Sequence, residues 1–208
     1  MPKDFINSGI NVNFVRFFCK ADMMSVIKNL FLITVSPQIG WDDINKSGHT
    51  TPRVLMGGFY PMLVVLMMAS FVPMCYDSVE WPIFGCIVHA IAELAGFLAT
   101  FYITTIVLGG MFADLLKSNS SSIRMHNFVA YNVMFLIFIE VLNNCMAYLF
   151  TPVFFLYLYA PVIISKGVVY LGVTNGSEIK KLVTVTSVML LLTPYIIRKL
   201  LELMIRIG

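Results

Sequence analysis

Two carboxylates, Glu93 and Glu140, sit in long stretches that carry no other Asp, Glu, Lys or Arg. His89 lies four residues before Glu93, so on a helix the imidazole and the carboxylate share one face. Asn143 and Asn144 lie three and four residues after Glu140 and share its face in the same way. These types, in that setting, allow three kinds of chemistry. Protonated acids and amides can hydrogen-bond between helices and hold them together. Carboxylates held away from water can carry protons or solutes. An imidazole and a carboxylate at i,i+4 can share a metal ion, but HEXXH is absent and the remaining histidines, His49 and His126, fall on the opposite side of the expected topology. No G-x-S-x-G and no phosphate-binding glycine loop occurs, so no catalytic, cofactor or metal residue is assigned.

The elements that must position these groups are apolar helices. The chain has 208 residues, 59% hydrophobic and only 12% charged, where soluble domains hold about 25%. Mean hydropathy is +0.85. The central stretch is 82–112, whose length as a helix exceeds the roughly 30 Å of a hydrocarbon core. Five spans are expected, at 54–75, 82–112, 127–150, 153–173 and 182–197, with an amphipathic tail from Arg198. A net charge of +3, without an arginine-rich patch, gives no footprint for nucleic acid.

Residues 1–53 are different in kind and form a second unit before the spans at 54–208. They hold ten charged residues. Met24, Ile27, Leu30, Phe31 and Thr34 recur at helical spacing, with Lys20, Lys28 and Asn29 elsewhere on the wheel. This pattern suits either an amphipathic helix in the membrane interface or a helix packed on the bundle. Pro37 ends that helix, Asp42 and Asp43 fall in the first turn of the next element, and Trp41 has the amphipathic ring of an interface anchor. Residues 45–53 read as a linker.

Lys and Arg concentrate before the first span and in the loops 114–126 and 174–181, which puts the N-terminus in the cytoplasm and the C-terminus outside. In that frame His89 lies roughly 10 Å and Glu93 roughly 16 Å below the outer boundary, and Glu140 comes up to the same layer from the inner side. His89, Glu93, Glu140, Asn143 and Asn144 therefore form a candidate polar cluster. Lys166 snorkels at the inner end of span four. The aromatics Tyr148, Phe150, Phe154, Phe155, Tyr157 and Tyr159 read as an outer interfacial belt. Gly57-Gly58 and Gly109-Gly110 suit close helix packing. Cys75 and Cys86 flank one turn and either pair or remain buried thiols.

Pro37, Trp41 and Ile44 make a P-x3-W-x2-I pattern before the first span, and Tyr170-Leu171-Gly172 precedes the last loop. With the five-span layout and Pro194 in the last span, the chain resembles the Yip family of Ypt/Rab-interacting membrane proteins over roughly residues 25–200. The likeness is to its bacterial members, because no long Pro- and Gln-rich leader and no D-L-Y-G-P element is present. The resemblance implies a non-enzymatic integral protein of a bacterial inner membrane. Its partners would be the bilayer and other membrane proteins, in a homo- or hetero-oligomer, and it would need no cofactor. Two functions are compatible with it: a scaffold acting through its cytoplasmic face, or a small transporter or channel subunit with a proton or cation site at Glu93 and Glu140.

Overall fold

A computed structural model describes residues 20–75, 83–112, 119–146, 153–173 and 175–207. Among the described residues every regular element is helical. Helices α1 (Lys20–Val35) and α2 (Pro37–Ser47) precede α3 (Thr51–Ala69), whose Leu55–Phe59 segment is wound as a π-turn, and a 3-10 turn at Val72–Cys75. Then come α4 (Ile83–Met111), α5 (Asn119–Cys145), α6 (Val153–Gly167) running on as a 3-10 turn to Leu171, and α7 (Gly176–Ile207).

Four segments are long and apolar enough to cross a membrane: Thr51–Ala69, Phe84–Met111, Ser122–Cys145 and Gly176–Leu201. The fifth expected span, α6, is shorter. Pro161 removes one donor from its interior and the helix tightens after Gly167. Other boundaries move as well. The first span begins at Thr51, with Pro52 in its first turn, so part of the expected linker is helical. The third begins eight residues early, at Asn119. The last does not stop at Ile197 but continues unbroken through Arg198. The turns at 76–81 and 151–152, and with them Tyr148 and Phe150, lie outside the described residues, as do the side chains of Cys75 and Phe154.

The centre of the molecule is α5 rather than the 82–112 stretch. Phe128, Val129, Ala130, Tyr131, Val133 and Met134 are fully buried, whereas Ile91, Tyr102 and Ile106 of α4 are more than half exposed. A helix apolar on every face and covered on every face is a core element; α4 instead shows one apolar side outward.

Helices α1 and α2 form an antiparallel hairpin. Ser25 lies 3.4 Å from His49, Lys28 3.4 Å from Asp43, and Ile33 packs on Gly40. A Cβ on Gly40 would stand 2.5 Å from the Ile33 backbone nitrogen, so only glycine lets the two helices close. Val26 packs on Gly58 of the π-turn, and Ile27, Leu30, Phe31 and Thr34 share a groove with Met62, Val65 and Phe138. Helix α1 thus runs lengthwise along α3 and α5. It is apolar on two sides: Val26, Leu30 and Ile33 are buried, while Met24, Ile27, Phe31 and Val35 are exposed. Asn29, expected on a polar face, is 2% exposed.

Trp41 is no interface anchor. It is buried, with Phe128 and Tyr170 against its ring at 5.4 and 5.5 Å and its Nε1–H donated to the Ile163 carbonyl at 3.1 Å. Gly167 leaves room for the indole: a Cβ there would stand 2.6 Å from both Trp41 and Phe128. Ile44 is equally buried. Asp42 and Asp43 lie past the first turn of α2, because Pro37 opens that helix. The described part of the N-terminal unit shares the hydrophobic core of the spans.

Candidate functional site

The polar cluster forms where α3 ends, α4 begins, α5 and α7 near their C-termini, and α6 begins. Two of its members are the expected acids, and their partner is Arg198. One guanidinium nitrogen, Nη2, lies 3.0 Å from Glu93 Oε1 and 2.7 Å from Glu140 Oε1, tying α4, α5 and α7 together. Both acids are buried, and the arginine side chain is 26% exposed. An arginine is charged under all ordinary conditions, so its place between two carboxylates offsets much of the cost of burying them.

Glu93 is the more completely surrounded acid. Besides Arg198 it faces His89 Nε2 at 3.2 Å, one turn earlier on its own helix. Ser70, just past the end of α3, donates its hydroxyl to Oε2 at 2.5 Å. Asn144 donates Nδ2–H to the same oxygen at 3.2 Å. A carboxylate has about four acceptor directions, and four groups meet this one. Among the described residues Glu140 has fewer partners: Arg198 and the Tyr157 hydroxyl of α6, which donates to Oε2. On this side is a cavity of about 160 Å³ between Glu140, Tyr157, Arg198 and the apolar Phe97, Leu136 and Leu190.

The helices meet here because small and irregular residues let them approach. Gly96 of α4 faces the backbone of Pro194, whose ring removes one helical hydrogen bond in α7 one turn before Arg198. Thr100 turns its hydroxyl to the Gly96 carbonyl in the turn before, so this buried donor is satisfied within its own helix.

Of the five expected residues, His89, Glu93, Glu140 and Asn144 come together. Asn143 does not; its side chain is exposed, and it makes none of the bonds that join the acids. Arg198, Ser70 and Tyr157 complete the site and were not expected in it. Tyr157 had the composition of an interfacial belt but bonds inward, whereas Phe155 is exposed as a belt residue would be. Two buried acids in an apolar bundle call for a cation, and that requirement was the signal for Arg198. A metal shared by His89 and Glu93 has no third ligand: among the described residues no group of three His, Cys, Asp or Glu is placed to hold one. Cys86 is a buried free thiol. No family model, curated protein or solved structure matches the chain.

Proposed function

We propose that this is a five-span integral membrane protein, of the Yip-like kind, that serves as a scaffold and not as an enzyme. The N-terminus would lie on the cytoplasmic side of a bacterial inner membrane, from which the α1–α2 hairpin enters the bundle, with the C-terminus outside. The observation that carries the reading is Arg198 between Glu93 and Glu140. The place a transported cation would take is filled by a side chain, and the acids are committed to joining α4, α5 and α7. Helix α6 and its 3-10 extension would supply the fifth crossing, with the bilayer thinned locally around it and Lys166 snorkelling to the headgroups. The Yip-like signature supports the same picture, since Trp41 and Ile44 seat α2 on the bundle.

One observation favours transport: the cavity beside Glu140. Proteoliposomes of the parent, Glu93→Gln and Glu140→Gln separate the two. A scaffold gives no pH-dependent flux in any of them, and each single variant stays folded because Arg198 retains one carboxylate. A pH-dependent flux in the parent that both variants abolish would overturn the scaffold.

A further inference from the structure

A second polar cavity, of about 190 Å³, opens where α2 crosses the end of α6. Gln38, Asp42 and Asn45 line it from α2 at i, i+4 and i+7; Lys166 and Val169 line it from α6 and its 3-10 turn. Trp41 and Tyr170 form its floor. Asp42 and Lys166 are exposed, and neither makes an ion pair among the described residues. A carboxylate, an ammonium and two amides thus face one cleft, and among the described residues none of them makes an ion pair or a side-chain hydrogen bond.

Lys166 also ends an apolar stripe. Phe155, Leu158 and Val162 are all exposed on α6 at spacings of three and four, and Lys166 comes four residues later. Such a stripe suits an acyl chain, and the lysine at its end suits a phosphate. We propose that this cleft binds the headgroup of a zwitterionic phospholipid with a primary ammonium, phosphatidylethanolamine, its phosphate on Lys166 and its ammonium on Asp42, Gln38 and Asn45. A purely anionic headgroup would meet the Asp42 carboxylate at close range. A quaternary ammonium needs an open aromatic face, and Trp41 is buried, with Phe128 and Tyr170 against its ring. It also has no N–H to give a carboxylate. The assignment rests on α6 being a span with its Lys166 end at the headgroups, and is independent of whether the protein is a scaffold or a transporter.

Native mass spectrometry of the full chain in detergent, titrated with equal amounts of phosphatidylethanolamine, phosphatidylcholine and phosphatidylglycerol, tests it. Phosphatidylethanolamine is expected to bind best. Asp42→Asn and Lys166→Met, at exposed positions, should each weaken it about tenfold, the effect of one charge-assisted hydrogen bond. The parent alone gives a second arm. N-methyl and N,N-dimethyl phosphatidylethanolamine must bind progressively less well, since each methyl removes a donor. Equal retention of the three lipids, a preference for phosphatidylglycerol, or indifference to methylation would overturn the proposal. So would displacement of the lipid by equimolar soluble phosphoethanolamine, which would make the free headgroup the ligand.

Discussion

Removing Arg198 leaves two carboxylates without their cation, whereas removing all three charges leaves none. Arg198→Met is therefore expected to cost about 3–5 kcal/mol, the usual penalty for breaking a buried pair from one side. The triple variant with Glu93→Gln and Glu140→Gln should recover most of it, because nothing charged is then stranded. Denaturant unfolding in detergent measures both; equal losses in the single and triple variants would show that packing rather than charge sets the penalty. At Gly167, alanine would push a methyl into Trp41 and Phe128, and overpacking of this sort costs about 1–3 kcal/mol. In a Trp81→Phe background the Trp41 emission should shift to the red as the ring leaves its pocket. The acids, His89 and Asn144 were legible in the sequence because rise per residue, counted from the expected span ends, puts them in one layer. Arg198 was not: a hydropathy window ends a span at its first charge, and so cut the cation from the helix that carries it. Tyr157 was misplaced for a related reason, since composition marks it as aromatic but cannot say whether its hydroxyl faces lipid or an acid.

The hairpin α1–α2 shows how a periodic pattern can be read correctly and still mislead. Met24, Ile27 and Phe31 do form a stripe, and they are exposed. A second stripe, Val26, Leu30 and Ile33, lies beside it and docks on the bundle. Two apolar faces describe an embedded helix better than one resting on a surface. The prediction is that a cysteine at position 31 resists aqueous maleimide in membranes and becomes reactive on unfolding. Labelling as fast as an unfolded control from the outset would put that face in water. Gly40→Val should open the hairpin, because its side chain would collide with the backbone of Ile33. Protease sensitivity between residues 36 and 50 reports the opening, while the spans remain protected.

Across the whole molecule, the layout of helices was readable from composition, and the count depends on α6, whose regular helix ends at Gly167 and continues as a 3-10 turn. Reporter fusions after residues 45, 120 and 178 should report cytoplasm, and fusions at 78 and after 208 the opposite side; an outer signal at 120 would exclude five spans. The layout also has a temporal side. Glu93 precedes Arg198 by 105 residues and Glu140 precedes it by 58. At about 5–20 residues per second, a ribosome takes roughly 5–20 s to deliver the cation after the first acid has been made. During that interval the nascent chain carries first one and then two carboxylates without their arginine, beside or inside the insertion machinery. The protein cannot complete its bundle helix by helix in the order of synthesis, and a chain stopped at residue 190 should mimic the interval permanently. Pulse–chase labelling is expected to show that fragment destroyed by membrane proteases while the full chain persists, and Glu93→Gln with Glu140→Gln in the same fragment should prolong its life.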